Sequence, residues 1–283
     1  MAIITLSRGM FSGGELLAEH LSKRLGYACI GREVIRCAAA EYGVPPEKLD
    51  DAIEKEINMK EYFALDIDRP RYLSFIQAAL CAAVKKNDTI YYGHGGHVLL
   101  TGVSHVIKVK LISDPEQRIR FAMEHRKLSR EEAQDYIRVM DQQRMKWTKF
   151  LYNTDWNSSR LYDIVINLKT TTISTACGMI CALTQADEFR TTKASASAME
   201  NLALISRIKA VLASNDFTRY LTVEVQADNG FVTLSGRVHT MQHTRQIKEI
   251  VRNIEGVRGI HCTCHPYYFD LDKEDIATLA HLR

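Results

Sequence analysis

No apolar run in this sequence approaches the roughly 18 residues that a membrane span requires, so an integral membrane segment is not expected. The start lacks the basic stretch and small-residue cleavage site of a secretory signal, and the chain is expected to act in the cytoplasm. An excess of either charge is also missing. Lys and Arg number 37 against 34 Asp and Glu, and the resulting +3 is too small to argue for nucleic acid or an anionic membrane as partner. The cysteines are seven, an odd number scattered through expected helices and strands, which suits a reducing cytosol better than a disulfide framework. What is present is ordinary: 46% hydrophobic and 25% charged over 283 residues, enough chain for two globular domains.

The N-terminus carries the most informative stretch. Ile3-Ile4-Thr5-Leu6 reads as a buried strand that runs into a glycine-rich turn, Gly9 to Gly14, and then into a helix with Leu17, Leu21 and Leu25 on one face. A strand, a glycine turn and a helix N-terminus gather backbone amides around one point, which suits a phosphate. The spacing Gly9-x4-Gly14 is that of the phosphate loop G-x-x-x-x-G-K-[ST], but Glu15 stands where the lysine belongs and Leu16 where the magnesium-binding hydroxyl belongs. The alternative is a plain strand-turn-helix connection whose glycines serve only tight packing.

Further along, strands alternate with helices. Short strands are expected at 27–30 and 89–92, a clear one at 105–112 and another at 163–167. Helices are expected at 32–42, from Pro45-Pro46 to Ile57, at 72–86, 97–100, 115–127, from Arg130 toward Phe150, and at 172–187. Asp114 followed by Pro115 is an N-cap with proline at the first helical position, and Ser129-x-x-Glu132 is a capping box. This order predicts an α/β unit over residues 1–187: a small parallel sheet with helices on both faces and its crevice at the carboxyl ends of the strands. Both glycine turns, Gly9 to Gly14 and Gly93 to Gly96, would lie on that edge.

Residues 188–197 turn polar and small and are expected to be a linker. Residues 198–283 then predict a helix over 199–214, a strand over 221–226, and an Asp228-Asn229-Gly230 hairpin. A strand over 231–238, a helix over 240–254 and a strand over 257–264 complete an α-β-β-α-β unit, with an amphipathic segment from Lys273 to Leu282 behind it.

Several pieces together resemble the cytidylate-kinase-like family, relatives of nucleoside monophosphate kinases in the P-loop NTPase fold. They are Ile4 to Arg8, Ser12-Gly13-Gly14, Leu25-Gly26-Tyr27, Gly93-x-Gly95, Glu116-x-Arg118, Leu128 to Ala133, Asp141-x-x-Arg144, Asp155-Trp156 and Tyr162-Asp163. The resemblance implies phosphoryl transfer from ATP to a nucleoside monophosphate. It places phosphates on Ser7, Arg8, Gly9, Ser12, Gly13, Gly14 and Glu15. It also implies a lid in which Arg126, Arg138 and Arg144 close over them with Asp141 orienting the arginines. Such chemistry needs positioning and positive charge more than covalent catalysis. The bare alternative for Arg138, Asp141 and Arg144 is a solvated helix face with ion pairs.

The sequence departs from the family at Glu15, near Gly31, where an acidic residue is common, and at His94, where arginine is common. A carboxylate at 15 would repel phosphates by several kcal/mol (order of magnitude) in a dry site. Arg8 is the candidate for supplying the missing charge, while Leu16 leaves Mg2+ without its usual loop ligand. The C-terminal unit resembles a BON domain through Gly230-x-Val232-x-Leu234-x-Gly236-x-Val238 and Val257-x-Gly259-Ile260, which implies membrane-lipid or small-ligand binding, with a sensing or dimerising role expected here; the alternative is a small α/β packing module with no ligand.

Two weaker signals are expected to be structural. His261-Cys262-Thr263-Cys264-His265 holds four metal-ligand types, but a strand would put the cysteines and histidines on opposite sides, so no metal is expected. The stripes Leu202-Ile205-Ile208 and Ile247-Ile250-Val251-Ile254 are core faces. Three readings of function stand: a kinase regulated by its C-terminal module, a nucleotide sensor that has lost catalysis through Glu15 and Leu16, and a scaffold that dimerises through that module.

Overall fold

The computed structural model describes residues 2–49, 69–86, 88–152 and 154–266. The expected helix from Pro46 to Ile57 passes beyond residue 49, and that part, like the segment from Lys273 to Leu282, lies outside the described residues.

Five parallel strands form the first sheet: β1 (Ile3–Arg8), β2 (Ala28–Ile30), β3 (Thr89–Tyr91), β4 (Val106–Ile112) and β5 (Ile164–Asn167). Their order is β2-β3-β1-β4-β5, so β1 is central, hydrogen-bonded to β3 on one side and β4 on the other. Alternation sorts its side chains between two cores. Ile3 faces α2 (Glu33–Tyr42) and α3 (Arg69–Val84), packing with Val34, Ile35, Phe75 and Ile76. Ile4 and Leu6 face α1 (Gly14–Leu25) and α7 (Ile173–Leu183), packing with Leu17, Leu21, Ala176 and Ile180. The short α4 (Gly96–Leu99) follows β3, and two helices lean together beyond the sheet edge: α5 (Pro115–Arg126) and α6 (Arg130–Tyr152). The fold class anticipated from the alternating strands and helices is therefore the one observed, and both glycine turns follow neighbouring strands.

The second sheet is β6 (Val223–Asp228), β7 (Phe231–Val238) and β8 (Gly259–Pro266), in that order. It is antiparallel in its first pair and parallel in its second. Asn229 and Gly230 both have positive φ, 48° and 86°, the requirement of a tight two-residue hairpin whose twist matches its strands. Helices α8 (Lys193–Ser214) and α9 (Met241–Arg252) cover the sheet, which completes the α-β-β-α-β order. In β8, Cys262 and Cys264 are sheltered while His261 and His265 are exposed, so the four residues lie on opposite sides of the strand.

The helix expected over 172–187 ends at Leu183, and two further differences from expectation bear on the architecture. Arg69 and Pro70 already belong to α3, because proline in a first turn gives up a donor that has no partner there anyway. Residues 188–197, expected to be a linker, carry regular structure. They contain part of a 3-10 turn and the first turn of α8, which starts at Lys193 behind a capping box between Thr192 and Ser195. The alanines at 194, 196 and 198, with the best helix propensity, extend what the cap nucleates.

Helix α8 serves two cores at once. Met199 and Ala210, with Leu202, Ala203 and Ala213 beside them, pack into the first domain's core, while Ile205, Ile208 and Leu212 pack under the second sheet. Small residues let α3 and α8 approach closely, and Cys81 Sγ lies 3.7 Å from Ser206 Oγ at their contact. Ala210→Glu buries a carboxylate there without a partner. A loss of at least about 3 kcal/mol in urea unfolding is expected, with both domains destabilised together, as a joint core requires.

Candidate functional site

β1 ends at Arg8, the loop 9–13 follows, and α1 opens at Gly14. Phe11 and Gly13 have positive φ, 56° and 77°, which folds the loop back over the start of the helix. Gly13 is the N-cap and no side chain caps the first turn, so the amides of Gly14, Glu15 and Leu16 keep their capacity to donate outward. A cavity of about 420 Å³ lies against them, walled by the loop from Arg8 to Leu16 with Glu19, Phe121, His125 and Arg144. A second hollow of about 300 Å³ shares Ser12, Gly13, Leu16 and Phe121 and continues along the 168–173 turn.

Arg8 folds across Gly14, where any β-carbon would collide with its side chain; glycine at 14 is what admits the arginine. Its Nη1 donates to the Tyr92 carbonyl and its guanidinium lies 5.3 Å from the centre of the Tyr92 ring. Burial lowers the Arg8 pKa from its ordinary value, opposed by Tyr92 and then by Glu15, but a guanidinium remains charged throughout the physiological range. Glu15 itself is exposed at the cavity wall. It leaves the hollow open, and as an acid in the first turn it favours the helix dipole.

The loop is gripped by the two leaning helices. Asp141 on α6 accepts from the Met10 amide at 3.0 Å and from Arg118 Nη2 at 2.5 Å. Arg118 on α5 also donates Nε to the Met10 carbonyl at 2.7 Å. Arg144, one turn beyond Asp141, donates to the Arg8 carbonyl at 2.7 Å and reaches Met10 Sδ at 2.8 Å. Phe11 packs into the small core of Ile119, Ala122, Ala133 and Ile137 that joins α5 to α6. The whole first turn of the loop is thus held at backbone level by side chains that arrive from more than 100 residues away.

Of the residues singled out in the sequence, Arg8, Gly9, Ser12, Gly13, Gly14, Glu15 and Arg144 all line the one cavity. Asp141 sits behind it, paired with Arg118 and the loop rather than with the three lid arginines expected of it. Arg126 is exposed with its guanidinium 5.1 Å from the Tyr136 ring centre, and Arg138 is exposed and paired with Asp135 one turn back. Neither is brought to the cavity. Ser7 faces away from it, into a buried polar group under the sheet edge, where it accepts from Trp156 Nε1 at 2.8 Å and meets Tyr162 OH at 3.2 Å. Arg118 and Phe11 were not singled out. Arg118 belonged to a quoted motif, but nothing in its spacing shows that it faces the loop.

Two histidines stand beside the loop. The pKa of His94 lies well below its usual value through burial and then through the positive charges of Arg144, Arg8 and Arg32, so it is neutral at pH 7. His97 is pushed down to about 4 by burial, then by Lys110 and Lys108. Its ring lies tilted against that of Tyr162, with centres 4.9 Å apart, and meets Tyr162 OH at 3.4 Å. Lys110, buried and lowered in pKa by that burial, donates to the Trp156 carbonyl and Asn157 Oδ1, both at 3.0 Å.

A central strand feeding a glycine-rich loop and an uncapped helix, in a parallel five-stranded sheet flanked by helices, is the architecture of the P-loop kinases. The chain belongs to the cytidylate kinase-like family, whose sequence profile matches residues 3–170, more than half its length. The BON domain profile matches residues 202–263. Among solved structures, an uncharacterized protein from Eubacterium ventriosum is similar over 66% of this chain and 99% of its own, at 17% identity and a TM-score of 0.49. The shikimate kinase from Acinetobacter baumannii in complex with shikimate is similar over 67% of this chain and 96% of its own, at 13% identity and a TM-score of 0.39. The dephospho-CoA kinase from Campylobacter jejuni is similar over 64% and 95%, at 12% identity and a TM-score of 0.33. The comparison with curated proteins gives no match.

The His97 environment sets a pH dependence. Its folded pKa, about 4, lies below the unfolded value of 6.5, so below pH 6.5 the unfolded chain takes up the proton first. Stability conferred by the neutral ring is complete above pH 6.5 and is lost as the pH falls toward 4, up to about 3 kcal/mol. Denaturant midpoints measured between pH 7.5 and 4.5 are expected to fall, and His97→Gln is expected to flatten that part of the decline.

Proposed function

We propose that the glycine-loop cavity holds the phosphate chain of ATP and that the protein transfers the terminal phosphoryl group to a nucleoside monophosphate. The observation that carries this reading is the convergence of Arg8, Arg144 and uncapped helix amides on one cavity of about 420 Å³. The donor set fits polyphosphate: amides of residues 14–16 for oxygens near the helix, and two guanidiniums for the charge that spreads over a transferring phosphoryl group. It does not supply the loop hydroxyl on which a magnesium ion usually rests, because Leu16 is apolar, and no step is assigned to the metal.

In this reading Arg144 acts directly. It binds the Arg8 carbonyl in the structure described and turns toward phosphate oxygens when the cavity fills. Arg8 stands in for the missing lysine from its seat on Gly14. Asp141, through Arg118 and the Met10 amide, keeps the loop in a shape that points its amides inward. His94 is kept neutral by burial and by the charges of Arg144, Arg8 and Arg32, so it serves as a hydrogen-bonding partner without adding positive charge. Arg126 and Arg138 enter only as lid residues that a further rotation of α5 and α6 would carry inward. Seven thiols, none in a disulfide, suit the reducing cytoplasm, and no described helix is long and apolar enough to cross a membrane. The BON domain is the regulatory part, with a small ligand of its own.

Coupled conversion of ATP to ADP in the presence of CMP, dCMP, UMP or AMP is the direct test. Turnover with at least one acceptor is expected, and a folded protein inert toward all four refutes phosphoryl transfer. Arg144→Ala is expected to lower activity or nucleotide affinity tenfold or more, about 1.4 kcal/mol. A stable, fully active variant removes Arg144 from the site.

The exposed carboxylate of Glu15 at the cavity favours a second reading, in which the domain binds nucleotide without turning it over. Replacing Glu15 by lysine and Leu16 by serine is then expected to tighten ATP binding and make it magnesium-dependent, as followed by titration calorimetry. If the paired change leaves affinity and metal dependence unaltered, those two positions are not what separates this loop from a catalytic one.

A further inference from the structure

Two cavities lie where the domains meet, and their charges differ. The smaller, about 350 Å³, is lined by Lys85, Arg207 and Arg258 but also by Glu41, Glu200 and Glu255, and Arg207 already lies 3.3 Å from Glu255. Its charges are balanced by the protein itself. The larger, about 480 Å³, is walled by α3 and α4 on one side and by the end of α8 with residues 218–223 on the other. Arg71, Lys209 and Arg219 line it, and no carboxylate does among the described residues. Lys209 is exposed and makes no ion pair among the described residues. Arg219 is tied to Asp216 at 2.8 Å through Nη1, yet its Nε is buried without a hydrogen-bond partner. Leu73, Leu99 and Leu221 also line the cleft and give it apolar surface.

We propose that this interdomain cleft binds a small organic phosphate, a phosphate ester with an apolar body. The cations supply the recognition of a compact anion, the leucines favour a ligand with carbon attached to it over the bare ion, and the volume is that of an ordinary small-molecule site. Both domains contribute walls, so a ligand that touches both stabilises their junction by mass action. The hydrogen bonds that shape the walls are local: Gln77 Nε2 to the Leu99 carbonyl at 2.9 Å joins α3 to α4, and Thr218 Oγ1 to the Leu212 carbonyl at 2.6 Å fixes the turn after α8. The cleft is formed from groups other than those of the glycine loop, and the proposal does not rest on nucleotide binding there.

The test is calorimetric titration of the full chain with phenyl phosphate, with phenol and inorganic phosphate as partial ligands. Phenyl phosphate is expected to bind at least tenfold more tightly than either part. The double variant Lys209→Glu with Arg219→Gln is expected to lose at least tenfold of that affinity, and the milder exposed change Lys209→Gln at least threefold, which keeps the test open if the double variant folds poorly. Arg144→Ala is expected to leave this binding unchanged. The proposal is overturned if phenyl phosphate does not bind. It is also overturned if its binding survives Lys209→Gln but is lost in Arg144→Ala, which places the anion at the glycine loop. Binding to phosphatidate vesicles without binding of the soluble ester overturns it as well, since a headgroup at a bilayer is then the source.

Discussion

The contact on which the site depends is the pair of hydrogen bonds that Asp141 accepts, one from the Met10 amide and one from Arg118, closed by Arg118 donating to the Met10 carbonyl. A five-residue glycine-rich loop has many conformations, and ordering it costs about 1–2 kcal/mol per residue in backbone entropy alone. Here charge-assisted bonds from two helices satisfy both polar groups of one loop residue, and Phe11 fixes the next by burial in the core between those helices. With residues 10 and 11 held, the backbone turns at Gly13 and delivers three uncapped amides to one side. The anion-attracting character of the helix terminus therefore depends on an interaction made in another part of the chain.

Charge is arranged in the same economical manner. At the end of β1 Arg8 and Arg144 line the cavity, and their charges with that of Arg32 help keep His94 neutral, while the acids of the loop helix, Glu15 and Glu19, stay at the exposed rim. Under the sheet edge Lys110 is absorbed by a carbonyl, an amide oxygen and the Trp156 ring, 4.5 Å from its Nζ. One group of cations is committed to structure and the other faces a cavity. That division, rather than the total of basic residues, makes the loop a candidate for phosphate.

Much of the architecture was legible because it is local. Alternating apolar runs and caps gave the strand and helix order, Asp114-Pro115 and Ser129-x-x-Glu132 marked their helices, and Asn229-Gly230 marked its hairpin with both residues at positive φ. The glycine loop and Arg8 were visible for the same reason. What was hidden was long-range. The partner of Asp141 is Arg118, 23 residues earlier, and no periodicity states that the two meet the same loop residue, Met10, one at its amide and the other at its carbonyl. Arg126 lies on α5 and Arg138, six residues before Arg144, falls on another face of α6, so both end on the solvent side. The polar stretch 188–197 looked like a linker by composition, whereas Thr192 and Ser195 cap a helix that both cores need.

The double duty of α8 reaches into how the protein is made. The side of α3 that carries Cys81 is complete only when residues 199–213 arrive, so a ribosome must add more than a hundred residues after Val84 before that surface is covered. At ordinary translation rates this leaves it bare for on the order of ten seconds. Until then that face of α3 has no cover from α8, and the C-terminal part of the chain completes the core of the first domain.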